Sequence, residues 1–103
     1  MRSAEYVRAA LKKHAEDMLD IYMDAAPEEK VKYRRYVAIL NDETICSFKD
    51  CFADHCEMRA ELATLIDDDF QENGKYDAEI DDGSVSWEIG DESNFLRIME
   101  KDE

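Results

Sequence analysis

Proline occurs once and glycine three times in this chain of 103 residues. That leaves no composition for a flexible linker, and no low-complexity tract or internal repeat is present. Cysteine occurs three times, an odd number that excludes a fully paired disulfide framework and favours a reducing compartment, so a cytoplasmic protein is expected. No apolar run approaches the roughly 20 residues that span a bilayer. The start, Met1-Arg2-Ser3-Ala4-Glu5, lacks the apolar core of a signal peptide. There is no glycine-rich phosphate loop and no G-x-S-x-G motif. Basic residues are scarce as well: 13 Lys and Arg stand against 27 Asp and Glu, for a formal charge of −14. Such a chain repels phosphates, which argues against direct contact with nucleic acid or an anionic membrane.

The length suits one domain spanning residues 1–103, and a hydrophobic share of 45% suffices for a packed core. The acid is unevenly placed. Fourteen of the acidic residues lie between Asp67 and Glu103 with only Lys75, Arg97 and Lys101 among them, so this last third carries −11 of the −14.

Periodicity predicts a helix over Ser3–Ala26, with Ser3 as N-cap and Val7, Leu11, Met18 and Tyr22 on its apolar side. Its exposed side runs from Arg8, Lys12 and Lys13 to Glu16, Asp17, Asp20 and Asp24. Pro27 predicts the start of a second helix that ends at Asn41-Asp42 and carries the basic cluster Lys30, Lys32, Arg34 and Arg35. Ser47 with Asp50 resembles a capping box for a third helix from Phe48 to about Ile66. Tyr76–Ile80 and Val85–Ile89 alternate as strands about an Asp82-Gly83 hairpin signal; Asn94–Glu100 reads either as a further strand, the preferred reading, or as a short helix capped by Asp91 or Ser93. The expected architecture is α+β: three N-terminal helices packed on a C-terminal antiparallel meander of two or three strands.

Few residues invite chemistry. Cys46, Cys51, His55 and Cys56 have a spacing that matches no common zinc pattern, and they read as small core thiols beside a packed histidine. Asp69 to Ile80 partly resembles a calcium loop with Gly74 in the sixth position, but Ile80 stands where a bidentate Glu belongs. His14 and His55 both fall on apolar helix sides. Catalytic residues, metal and cofactor are therefore all expected to be absent.

The acids remain. Asp77, Glu79 and Asp81 would point to water from one strand face, repeating every ~6.6–7 Å, near the spacing of phosphates along a nucleic-acid strand. In size and charge, and not in any motif, the chain is similar to phage-encoded DNA mimics such as anti-restriction and anti-CRISPR proteins. The expected function is that of an inhibitor whose acidic surface blocks the basic nucleic-acid-binding surface of a partner protein. The candidate partner-binding residues are Asp67, Asp68, Asp69, Glu72, Asp77, Glu79, Asp81, Asp82, Glu88, Asp91 and Glu92. An immunity or antitoxin-like protein that neutralises a nuclease toxin would use the same surface physics. An adaptor domain, acidic only for solubility, is the plainest alternative, and a small hydrolase the remaining one.

Overall fold

In the computed structural model, which describes residues 2–52, 55–67 and 83–101, Ser3 caps the longest helix as its sequence predicts. The Ser3 hydroxyl oxygen accepts the Tyr6 N–H at 3.2 Å, satisfying one of the amides that a helix start leaves open. Helix α1 (Ala4–Asp24) follows. Val7 and Leu11 in its first half are fully buried, whereas Leu19, Ile21 and Met23 in its second half are exposed. The fully buried anchors thus lie in the N-terminal half, while in the second half Tyr22 meets Tyr33 with ring centroids 5.3 Å apart.

The expected second helix is not formed. Only Pro27–Lys30 (α2) is helical, and Arg34–Leu40 is strand β1. The reason lies in the residues: Tyr36, Ala38 and Leu40 alternate with Val37 and Ile39, and β-branched and aromatic side chains suit a pleated strand better than a helix. Asn41-Asp42, read as a helix stop, is a two-residue hairpin turn instead. Both residues take positive φ, 50° and 65°, as a type I′ turn requires.

Strand β2 (Glu43–Asp50) returns antiparallel to β1. Ser47 and Asp50 therefore form no capping box, since both lie in this strand. Helix α3 (His55–Ile66) begins seven residues later than expected, and Phe48 sits in the strand, opposite Tyr36. The apolar side of α3 is Met58, Leu62, Ala63 and Ile66. Strands β3 (Ser84–Ile89) and β4 (Glu92–Glu100) form the second hairpin, with Gly90 at a φ of 58° in its turn. The segment Tyr76–Ile80 lies outside the described residues.

Among the described residues, the three-helix layer on a short meander is thereby replaced by one long helix, two shorter ones and a four-stranded antiparallel sheet in the order β2-β1-β4-β3. Two sequence-adjacent hairpins meet along β1 and β4, where Ala38 faces Ile98 and Leu40 faces Leu96. The core lies between this sheet and α1 with α3. Leu40, Leu96, Val85 and Trp87 of the sheet close on Val7, Leu11 and Leu62 of the helices. The Trp87 Nε1–H donates to the Arg2 carbonyl at 2.9 Å, tying the start of the chain to β3. Among the described residues, no helix is long and apolar enough to cross a membrane.

Candidate functional site: an acidic outer face and an inner His-Asp-Glu cluster

Helical geometry places Glu16, Asp20 and Asp24 on one outward stripe of α1. Steps of four residues advance by about 6 Å and rotate only ~40°. All three are exposed. Lys13 holds Asp17 at 2.9 Å, but Glu16, Asp20 and Asp24 form no ion pair among the described residues. Asp24 occupies the last helical turn, which holds no basic residue. A carboxylate there opposes the negative end of the helix dipole, so helix stability does not account for its presence. Leu19 and Met23, 59% and 63% exposed, lie beside the stripe at i, i+4 spacing.

Three of the predicted acids cluster at one end of the β3–β4 hairpin. Glu88 is opposite Ser93, Glu92 is opposite Ile89, and Asp91 sits in the turn between the strands. All three are exposed and none forms an ion pair among the described residues. Because adjacent positions of a strand alternate in direction, Glu88 and Glu92 project to opposite faces. The tip is acidic all round, not a flat row. Of the other predicted residues, Asp67 follows α3, half-buried, with its N–H donating to the Ala63 carbonyl at 2.9 Å. Asp68, Asp69, Glu72, Asp77, Glu79, Asp81 and Asp82 lie outside the described residues, as does the calcium-like segment.

Among the described residues, the basic cluster pairs with neither the α1 stripe nor the hairpin-tip acids. Lys32 pairs with Glu29 at 3.4 Å and the Arg34 Nε with Glu100 at 3.8 Å, while Arg8 pairs with Glu43 at 2.9 Å. Arg34 is further oriented by donating to the carbonyls of Val31 and Tyr33 at 2.8 and 3.1 Å. With Lys30, Arg35, Lys49 and Lys101 it surrounds a depression of about 380 Å³.

A second constellation lies inside the fold. His14 Nε2 of α1 is hydrogen-bonded to Asp50 Oδ2 at the end of β2, at 3.0 Å, and Asp50 is buried. The Asp50 Oδ1 accepts the Cys51 N–H at 2.7 Å. The hydrogen bond to Asp50 raises the His14 imidazole above its ordinary pKa, against the opposing effect of burial. Glu61 of α3 completes the group: donor atoms of His14, Asp50 and Glu61 lie within 4.8 Å of one another. Glu61 is exposed as a residue, yet partial burial of its carboxyl, and next the Asp50 charge, push its pKa up. His14 and Glu61 line a cavity of about 410 Å³ between α1 and α3, with Tyr6, Leu11, Phe52 and Leu65 as its apolar wall.

The cysteines are not helical neighbours. Cys46 lies in β2, its thiol donating toward the Leu11 carbonyl at 3.6 Å, and burial pushes that thiol up. Cys51 follows the strand and is exposed. The side chains of His55 and Cys56 are outside what is described.

The sequence places His14 on an apolar helix side and the α1 acids on the exposed side, outside the predicted partner-binding set. The four-residue spacing of Glu16, Asp20 and Asp24 was the available signal for the stripe. For the inner cluster there was none, because its members are 36 and 11 residues apart in sequence. Neither a protein-family model, nor a curated protein, nor a solved structure matches this chain.

Proposed function

We propose that the protein is an acidic interaction module that occupies a basic, nucleic-acid-binding surface of a partner protein. The observation that carries this reading is the α1 stripe of Glu16, Asp20 and Asp24, exposed and without ion pairs among the described residues. Its step of about 6 Å resembles the separation of successive phosphates on a strand. The acids of the β3–β4 tip add a second negative patch. Opposite charge of this density accelerates encounter and sets orientation, and the neighbouring Leu19 and Met23 offer the apolar contact that charge alone does not provide. The C-terminal acids from Asp67 onward, where most of the formal charge lies, extend the anionic character of the module.

The test is displacement. A nucleic-acid-binding protein captured by the chain at low salt is loaded with labelled duplex, and the chain is titrated in. The reading expects the duplex to be released by the native chain and retained with a Glu16→Lys, Asp20→Lys, Asp24→Lys variant. If native and variant chains release the duplex equally, the α1 stripe has no part in binding. If neither releases it, the module is an adaptor and not a decoy.

A further inference from the structure

We propose that His14, Asp50 and Glu61 form a binding site for one divalent transition ion of the zinc class, with a coordination position left open toward the cavity between α1 and α3. Three elements contribute one donor each: the middle of α1, the last residue of β2 and the middle of α3. Imidazole plus carboxylates is a donor set that suits zinc and its neighbours, and three protein ligands with one open position is the arrangement of reactive zinc sites.

The distances fit. Bonds of about 2.0–2.2 Å in a tetrahedron set the donor atoms roughly 3.3–3.6 Å apart. His14 Nε2 and Asp50 Oδ2 stand at 3.0 Å, and all three donors fall within 4.8 Å. Entry of an ion parts the first pair by a few tenths of an ångström and draws in Glu61, whose side chain reaches the cluster from an exposed position on α3.

Two of the three ligands are already held in place. Asp50 has one carboxylate oxygen engaged by the Cys51 N–H at 2.7 Å, which turns the other toward His14. The His14 ring packs edge-on against Phe48, with centroids 5.0 Å apart and planes at 89°. Outer contacts of this kind orient metal ligands and limit the entropy lost on binding. The charge balance also favours a cation, since two carboxylates converge on one imidazole. Arg2, the other cationic side chain of the cavity, has its guanidinium carbon 3.9 Å from the Tyr6 ring centroid.

The cavity carries the rest of the inference. Its volume of about 410 Å³ and its wall of Tyr6, Leu11, Phe52 and Leu65 give the open position a sheltered, mostly apolar approach. Water, or the anionic head of a small organic ligand, would complete the sphere there. This site is separate from the outward acidic stripe of α1, and its occupation does not depend on the decoy reading.

The experiment titrates Co²⁺ and Zn²⁺ into the full-length, chelator-washed protein. Calorimetry gives stoichiometry and affinity, and the visible spectrum of Co²⁺ reports the donors. The expected result is one tight ion per chain, a four- or five-coordinate cobalt spectrum without thiolate charge transfer, and a rise in melting temperature. Affinity should fall at least tenfold in Glu61→Gln, which leaves the His14–Asp50 hydrogen bond intact, and further in His14→Gln. Glu28→Gln, exposed on α2, serves as the control and should bind metal like the native chain. Three results overturn the proposal: no tight ion, equal affinity in native and Glu61→Gln chains, or a spectrum showing a thiolate ligand.

Discussion

Asn41, in the turn of the first hairpin, donates its side-chain N–H to Asn94 Oδ1 of β4 at 3.0 Å, and its own Oδ1 accepts the Phe95 N–H at 2.8 Å. The Asn41 backbone N–H adds a bond to the Phe95 carbonyl at 2.9 Å. One residue thus closes the β1–β2 turn and fastens it to the neighbouring hairpin. Asn94 is buried, and its amide nitrogen has no hydrogen-bond partner among the described residues. Replacing Asn41 by Ala removes two bonds, strands a buried acceptor and places a Cβ residue with no local hydrogen bond at positive φ. The expected loss is about 2–4 kcal/mol, read from urea unfolding. A loss under about 0.5 kcal/mol would show that the link is not structural.

Two other left-handed positions make opposite predictions. Asp42 adopts a φ of 65° in the type I′ turn, where Gly is preferred. Asp42→Gly should therefore stabilise by a few tenths of a kcal/mol, up to about 1. At Gly83 (φ +80°) an added Cβ would meet the Ile98 carbonyl oxygen and the Met58 sulfur, each at 2.7 Å. Gly83→Ala should destabilise by more than about 1–2 kcal/mol. The difference in melting temperature between the two variants checks both.

Stability should fall as pH rises through neutrality. His14 has its pKa raised in the folded state, chiefly by the Asp50 hydrogen bond, with smaller help from the charges of Glu61 and Asp17. Its contribution is complete below the unfolded value of about 6.5 and is lost as pH passes the higher folded value. Glu61, also raised, works in the same direction from about pH 4.5 upward, because its neutral form is the one that the fold favours. Denaturation of chelator-treated protein from pH 5 to 9 should show this decline, and His14→Gln should flatten its neutral part. An unchanged slope in that variant would assign the effect to general charge repulsion.

Thiol reactivity should follow burial. Cys51 is exposed, while burial raises the Cys46 thiol and its S–H faces the Leu11 carbonyl. Brief alkylation of native protein, mapped by mass spectrometry, should modify Cys51 well before Cys46. Comparable rates would mean that β2 opens readily beneath α1.

The sequence made some elements legible and concealed others for identifiable reasons. Helix α1 has a capping serine and an apolar stripe, so the expected Ser3–Ala26 lies within two residues of Ala4–Asp24; Val85–Ile89 alternates as strand β3 does, and the preferred strand over Asn94–Glu100 is β4, which starts two residues earlier at Glu92. The first hairpin is concealed because lysines and arginines follow Pro27, a common helix start, and because Asn41-Asp42 terminates a helix as readily as it turns a hairpin. With a helix expected from Phe48 onward, the alternation of Cys46, Phe48 and Asp50 carries no strand signal, and Asp50 reads as part of a cap. Only the fold brings Asp50 to His14 and Glu61.

The central claim is that the outward carboxylates of α1 engage a basic surface. The most direct measurement is the affinity of the chain for its captured partner as a function of salt, for the native protein and for the Glu16→Lys, Asp20→Lys, Asp24→Lys variant. Lysine at position 24 suits the helix C-terminal end, so the variant should fold at least as stably as the native chain. Native affinity should drop steeply between low and physiological salt, and the variant should bind at least tenfold more weakly at low salt. An affinity indifferent to both salt and reversal would contradict the central claim.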